Sequence, residues 1–336
     1  MSDRTILAQR FLDKNGWANT DRTHLAGDAS NRSYQRLRNN AGETVVLMDA
    51  PPAQGEDVQP FIAITNHLRD LNFSAPRILA QDTSHGFLLI EDLGDALFAK
   101  LISGDPEIEL PLYAAAVDVL LELHQHPPPD GLLEYSPVVM AEYIAPVFDW
   151  YHTPTTAKAT EIILELKAVL TAIYTASPVM SLRDYHAENL LWLPQRAGTK
   201  RVGLLDYQDA VKTHPAYDLA SLLQDARRDV SDNTQNAMIN RYISATNTDL
   251  AEFLAAYNAL GAQRNLRILG IFARLSAVAG KPDYINLIPR VWSHLERDLS
   301  HPALEKLSHL VLGCLPKPSA EHLQRLKSKC TNPQMP

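Results

Sequence analysis

Residues 181–189 read Ser-Leu-Arg-Asp-Tyr-His-Ala-Glu-Asn, and residues 203–206 read Gly-Leu-Leu-Asp. The first stretch places Asp184 five residues before Asn189, and the second ends at Asp206. Phosphoryl transfer needs a carboxylate near the attacking hydroxyl and oxygen ligands for Mg²⁺ beside the phosphates. The three residues therefore predict the active site of a small-molecule kinase. Asp184 would accept or orient the hydroxyl proton, and the other two would hold Mg²⁺.

Two short apolar runs lie between Asn189 and Asp206. Residues 190–193 and 202–205 are separated by the polar stretch 194–201, a pattern that predicts two antiparallel strands joined by a turn. A register centred on the turn places Asn189 and Asp206 side by side at the open end of the hairpin. An Asp-x-x-x-x-Asn string is common by itself, so the prediction depends on the whole ordered set.

Length and charge limit the classes of protein that the chain can belong to. A chain of 336 residues is long enough for two lobes. A formal charge of -8 and the lack of a basic cluster argue against nucleic-acid binding. No run of about 18 apolar residues occurs, so a membrane span is not expected. The expected location is cytoplasmic. The two cysteines, Cys314 and Cys330, lack metal-site spacing and are expected to be reduced.

Apolar periodicity predicts a β-rich N-terminal lobe over 1–90, a hinge at 91–95 and a larger helical lobe over 96–336. The elements predicted for the first lobe are helices at 5–14 and 61–71 and strands at 33–37, 44–48 and 87–90. The helices predicted for the second lobe are 112–123, 162–173, 218–228, 234–245, 249–260, 263–279, 286–299 and 302–313. Residues after Lys317 are predicted to fray.

This arrangement resembles the aminoglycoside phosphotransferase and choline kinase branch of the protein-kinase-like fold. Within that branch, four stretches are similar to the bacterial anomeric sugar kinases of cell-wall recycling: 27–34, 46–52, 183–186 and 270–275. The resemblance implies an α+β fold with two lobes, ATP and Mg²⁺ as cofactors, and phosphorylation of N-acetylmuramate or N-acetylglucosamine at the anomeric hydroxyl. Another acceptor of the same fold family, namely an aminoglycoside, a choline-like alcohol or another sugar, stays open, as does the oligomeric state.

The resemblance also implies individual roles around the loop. Asp184 is the catalytic base, Asn189 and Asp206 are the Mg²⁺ ligands, and Asp218 supports the loop. A carboxylate in the first turn of a helix is also favoured by the helix dipole, which is compatible with that support. His186 could orient the loop or Asp184, although a purely structural role is the favoured one for this histidine.

Nucleotide contacts are implied in the first lobe. Ile90 would line the back of the adenine pocket, while the carbonyl of Glu91 and the amide of Leu93 would pair with the adenine edge. The loop 27–32 lies where a phosphate-covering loop belongs, although it has one glycine rather than three. Its predicted nucleotide-binding residues are Ser30, Asn31 and Arg32.

Met48 departs from the wider pattern, because it stands where Val-Ala-Ile-Lys has a phosphate-binding lysine. Two interpretations follow. The chain is a nucleotide-binding pseudokinase, or Arg32 or Arg36 supplies the missing positive charge. The cell-wall-recycling kinases share this methionine, which favours an active enzyme.

The late helices suggest the charge of the acceptor. Residues 264–297 contain six basic and two acidic residues in a chain that is acidic as a whole. This excess favours an anionic acceptor over a polycationic aminoglycoside. The resemblance implies that this acceptor is N-acetylmuramate, an amino sugar whose carboxylate Arg274 or Arg290 could bind. The aromatic side chains of Trp150, Tyr151 and Trp292 could stack on a sugar ring, but packing in the interior is the favoured role.

Overall fold

An antiparallel sheet of five strands, in the order β1-β2-β3-β5-β4, forms the N-terminal part of the fold. The computed structural model of the protein describes residues 3–25 and 31–329. The strands of this sheet are β1 (Asp21–Leu25), β2 (Ser33–Arg38), β3 (Thr44–Asp49), β4 (Ile78–Asp82) and β5 (Phe87–Glu91). The apolar runs of β3 and β5 fit their place inside the sheet, since four consecutive residues of each are buried.

The two faces of this sheet have different neighbours. Alternate residues of β3 and β5, among them Val45, Leu47 and Leu89, pack with Phe11 and Leu12 of helix α1 (Asp3–Lys14). The intervening residues point to the opposite face, because successive side chains in a strand alternate. That opposite face carries Met48 and Ile90, two of the positions predicted to bind nucleotide.

The remaining strands are short and the rest of the chain is mostly helical. The strands are β6 (Val179–Ser181), β7 (Leu190–Trp192), β8 (Val202–Leu204) and β9 (Val211–Thr213), which pair as β6-β9 and β7-β8. The other helices are α2 (Gln59–Asp70), α3 (Phe98–Gly104), α4 (Glu109–Leu123), α5 (Pro137–Glu142), α6 (Thr156–Ile173), α7 (Ala216–Leu223), α8 (Asp232–Thr246), α9 (Leu250–Ala279), α10 (Ile288–Leu299), α11 (Glu305–Cys314) and α12 (Ala320–Ser328). The α+β class is confirmed.

Three predicted helices are wrong in their bounds. The helices predicted at 249–260 and 263–279 are one helix of 30 residues, α9, which continues through Gly261. The helix predicted at 218–228 ends at Leu223. The tail after Lys317 does not simply fray: Ser319 accepts a hydrogen bond from the amide of His322, a capping contact that starts α12.

The chain divides into two compact units, of which the first comprises Met1–Ile108 and Glu188–Asp209 and the second Glu109–Ala187 and Ala210–Pro336. The β7-β8 hairpin therefore belongs to the same unit as the N-terminal sheet. The hinge at 91–95 stays a prediction.

Candidate active site

A strained turn precedes Asp184 in the second unit. The amide of Asp184 donates to the carbonyl oxygen of Leu182 at 2.8 Å, and Arg183 between them has a φ of 66°. A hydrogen bond that closes over one residue of positive φ marks the rarer and strained form of the γ-turn. Such strain costs about 1–3 kcal/mol and persists only where surrounding contacts hold it, as they do at many active sites.

Asp218 of α7 holds the amide side of this turn. Its Oδ2 accepts from the amide of Leu182 at 2.6 Å, and its Oδ1 accepts from the amide of Arg183 at 3.0 Å and from the hydroxyl of Ser181 at 2.6 Å. Complete burial raises the pKa of Asp218 to about 6, although these hydrogen bonds act to lower it. These contacts are the ones expected if Asp218 supports the loop, as predicted.

His186 lies buried two residues after Asp184. Its Nε2 is 3.4 Å from Nη1 of Arg227. Burial lowers the pKa of His186 to about 4, so the ring is neutral at pH 7. A neutral ring does not provide charge near the loop, so orientation of the loop and a purely structural role both stay predictions for His186.

In the first unit, Asn189 and Asp206 meet at the open end of the β7-β8 hairpin. Leu190 pairs with Leu204, and the amide of Leu205 donates to the carbonyl of Asn189 at 3.0 Å. Asn189 thus faces Leu205, and the predicted register is wrong by one residue. Asp206 leaves the strand with a φ of 56°, and its Oδ2 lies 3.5 Å from Nδ2 of Asn189. The two side chains are neighbours, as predicted.

This pair suits a metal that arrives with a nucleotide. Mg²⁺ commonly takes one or two protein oxygen ligands and completes its octahedral shell with phosphate oxygens and water. Asn189 and Asp206 supply an amide oxygen and a carboxylate of that kind. Across 3–25 and 31–329, no group of three or more His, Cys, Asp and Glu side chains could hold a metal ion. Asp206 is also held by Gln208, whose Nε2 donates to Oδ1 at 2.8 Å, while Asp209 is exposed.

Met48 and Ile90 lie on the sheet face opposite α1. Met48 pairs with Leu88 and with Tyr34, and Val46 pairs with Ile90, so these side chains share one face. Met48 is fully buried and Ile90 is nearly so. The position of the missing lysine is therefore an apolar wall next to the predicted adenine contact.

The described end of the predicted phosphate loop, residues 31 and 32, contacts the segment after β3. The amide of Asn31 donates to Oε1 of Glu56 at 2.9 Å, and its side chain donates to the carbonyl of Gln54 at 3.2 Å. Arg32 forms an ion pair with the same Glu56, with Nε 3.1 Å from Oε2. Ser30 lies outside the described residues.

Arg36 lies on the same sheet face as Ile90 but is paired with the segment after β5. Its Nε and Nη2 donate to Asp92 at 2.7 and 2.9 Å, and its Nη1 donates to Asp95 at 2.8 and 2.9 Å. This cluster fixes the segment that contains Leu93, which is half-buried.

Glu91 is also fixed. Its amide donates to the carbonyl of Arg77 at 2.8 Å, and its carboxylate accepts from Arg196 at 2.9 Å. The predicted use of its carbonyl and of the Leu93 amide by adenine stays a prediction.

The two predicted substrate arginines have different surroundings. Arg274 is exposed on α9, whereas Arg290 on α10 donates to Asp229 at 2.6 Å and to the carbonyl of Ala226 at 3.2 Å. Tyr151 stacks on Trp292 with ring centroids 6.2 Å apart, and both are buried. Tyr151 and Trp292 therefore pack in the interior, which is the role that the sequence analysis favoured for them.

Sequence reasoning missed three polar residues around the loop. Ser181 lies in the otherwise apolar strand β6, and Ser221 lies in α7, where Asp218 is the other buried polar side chain; this setting was the one signal that they have partners inside the protein. Arg264 was visible only as a member of the basic excess. Its side chain is in fact buried and donates to Ser221 at 2.6 Å.

Residues 21–265 match the model of the phosphotransferase enzyme family, which is well over half of the chain. The chain belongs to this family. A curated relative from Caulobacter vibrioides, named N-acetylmuramate/N-acetylglucosamine kinase, is 39% identical, and the match covers 91% of this chain and 95% of the relative. A protein of the same name from Pseudomonas putida is 30% identical over 86% of this chain and 87% of its own length. The resemblance to small-molecule kinases is confirmed, and the chain is an enzyme of that class.

Solved structures support the fold. A choline/ethanolamine kinase family protein from Mesorhizobium loti superposes with a TM-score of 0.63, covering 92% of this chain and 99% of that one, at 13% identity. At that identity the likeness concerns the fold alone. Among the described residues, no helix is both long and apolar enough to span a membrane.

Proposed function

We propose that this protein is an ATP-dependent kinase that phosphorylates the anomeric hydroxyl of N-acetylmuramate and N-acetylglucosamine in peptidoglycan recycling. The observation that carries the choice of substrate is the 39% identity to the Caulobacter vibrioides kinase of that name along nearly the full length of both chains. The buried support of the Asp184 turn favours an active enzyme over a pseudokinase, because strain held by several contacts is typical of working sites.

In the proposed reaction Asp184 accepts the proton of the anomeric hydroxyl. The hydroxyl oxygen forms a bond to the γ-phosphorus of ATP, and the bond between that phosphorus and the β,γ-bridging oxygen breaks. The products are the sugar 1-phosphate and ADP. Asn189 and Asp206 would hold Mg²⁺, whose charge offsets that of the phosphates.

The other proposed contacts divide by lobe. Ile90, Glu91 and Leu93 would contact adenine, and Arg32 the phosphates. An anionic acceptor would meet Arg274 or Arg290, a proposal that rests on the basic excess rather than on a shared pocket.

The test is product analysis with the purified protein, Mg²⁺ and ATP. N-acetylmuramate, N-acetylglucosamine, an aminoglycoside and choline are offered separately, and the product is examined for an acid-labile phosphate at the anomeric carbon. Asp184→Asn should lower kcat by at least about a thousandfold with unchanged nucleotide affinity, while Asp130→Asn, at an exposed loop position, should match wild type. Transfer to choline or the aminoglycoside alone would reject the proposed substrate, and ATP binding without any product would identify a pseudokinase.

A further inference from the structure

The carbonyl side of the turn before Asp184 has its own support, separate from Asp218. Ser221 of α7 is 1% exposed, and its Oγ donates to the carbonyl oxygen of Arg183 at 2.9 Å. Nη2 of Arg264, on α9, donates to the same Oγ at 2.6 Å. A guanidinium that is 7% exposed thus reaches the residue before Asp184 through one hydroxyl.

The chemistry of these groups fixes the direction of both hydrogen bonds. A guanidinium has only donors, and a hydroxyl has one proton and two lone pairs. When Arg264 donates to Ser221, the hydroxyl must accept with a lone pair, and its proton is directed to the carbonyl of Arg183. The arrangement has one satisfied orientation, and Arg264 enforces it.

This orientation matters because the carbonyl of Arg183 belongs to the peptide plane that leads into Asp184. Asp218 holds the amides of Leu182 and Arg183 on one side of that turn, and Ser221 holds the next carbonyl on the other. Without the second support, the peptide plane after a residue of positive φ can rotate toward the more common conformations. Such a rotation would move the Asp184 carboxylate.

We propose that Arg264 and Ser221 are positioning residues that fix the peptide plane between Arg183 and Asp184 and so set the direction of the catalytic carboxylate. The inference rests on the proposed role of Asp184 as the base. The guanidinium of Arg264 also lies 5.4 Å from the ring centre of Tyr217, which holds its plane. Its charge favours the ionised form of Asp218, so one buried arginine assists both supports of the turn.

The experiment compares Ser221→Ala and Arg264→Met with Ser276→Ala, a matched removal of a hydroxyl. Ser276 is fully buried in α9, and its Oγ has no hydrogen-bond partner among the described residues. Displacement of a catalytic group by about 1 Å can cost about a hundredfold in rate, so kcat should fall by about 10- to 100-fold in the first two variants. KM for ATP and for the sugar should stay within about twofold of wild type, since neither residue is proposed to touch a substrate.

A second readout does not depend on catalysis. Hydrogen exchange of a peptide that covers 182–185 should be faster in Ser221→Ala and unchanged in Ser276→Ala, because only the first releases the turn. In the double variant of Ser221 and Arg264, the loss in kcat should be no larger than that of the worse single variant.

Each outcome bears on the inference. Unchanged exchange in Ser221→Ala, a loss carried by KM, or losses that multiply in the double variant would each overturn it. If Arg264→Met does not fold, Ser221→Ala decides by itself, because it removes a single oxygen. If wild type transfers phosphate to neither sugar, the proposed function fails, and faster exchange would then establish a fixed turn without the catalytic role.

Discussion

Gly270 of α9 should tolerate no side chain. An added Cβ would lie 2.2 Å from the carbonyl carbon of Pro146, 2.3 Å from the nitrogen of Val147 and 2.5 Å from the oxygen of Pro146. All three atoms are backbone, so no rotamer change relieves the contact. Because ordinary contacts begin at 3.4 Å, the helix and this segment would have to separate by about 1.2 Å. The perturbation to make is Gly270→Ala.

The magnitude follows from two opposing effects. Alanine gains about 1 kcal/mol of helix propensity over glycine. Overpacking of a dense interior costs about 1–3 kcal/mol and more where backbone must move, and here the clash is with backbone on one side and a helix on the other. We expect a net loss of about 2 kcal/mol or more in the free energy of unfolding.

The assay is urea unfolding followed by far-UV circular dichroism and tryptophan fluorescence. Gly313→Ala is the matched control, since Gly313 lies in α11 and its added Cβ would meet nothing within 4 Å. That variant should be as stable as wild type or gain up to about 1 kcal/mol. Equal unfolding midpoints for Gly270→Ala and Gly313→Ala would refute the reasoning.

Three further predictions concern the site and its surroundings. Met48→Lys should lower the unfolding midpoint strongly, because it places an ammonium group at a fully buried position, whereas Met48→Leu should cost less than about 1.5 kcal/mol. Arg32→Gln should weaken ATP binding by about tenfold or more and leave adenosine binding unchanged in calorimetry, whereas Arg36→Gln should weaken both, through the segment that it fixes. Acidification should destabilise the protein through His186: its pKa is 6.5 in the unfolded chain and about 4 when folded, so the stability it contributes above pH 6.5 is lost as the pH falls toward 4. Burial also lowers the pKa of His124, His214 and His294, so part of the loss between pH 7 and 4 should remain without His186. In unfolding curves at pH 7 and 4, the loss should be smaller by about 3 kcal/mol in His186→Asn than in wild type or in His309→Asn, an exposed control.

The sequence predicted best where local pattern and chemistry agree. The runs in β3 and β5 and the hairpin with its two polar ends are local features, and all were found. The prediction was wrong where contacts between residues distant in sequence determine the structure. Gly261 reads as a break between helices, yet α9 continues through it. An added Cβ would lie 2.5 Å from Oδ2 of Asp298, so the glycine leaves room for that buried carboxylate inside the fold.

The site shows the same division. The types and spacing of Asp184, Asn189 and Asp206 were enough to predict a kinase. The register error at the hairpin arose in the connection between the strands, because turn geometry sets the register and the 3₁₀ turn Gly198–Arg201 makes this connection asymmetric. Ser221 and Arg264 were missed because their contacts join parts of the chain that are distant in sequence. Ser221 contacts the loop and Arg264 contacts Ser221, and a single sequence carries no record of either contact.

Because β3 carries a buried methionine in place of the lysine, Arg32 and Arg36 are the two candidates for the positive charge that binds phosphate. The ion pairs of these arginines distinguish between them. Arg36 is bound by two carboxylates, Asp92 and Asp95, so this cluster carries a formal charge of -1 and would repel a phosphate. Arg32 forms an ion pair with Glu56, and these two groups together carry no net charge. An incoming triphosphate could compete with Glu56 for the guanidinium, since both anions suit its planar donors. The negative charge of the Arg36 cluster argues against Arg36 as the phosphate contact, which keeps Arg32 as the proposed contact and gives Arg36 a role in the shape of the adenine segment.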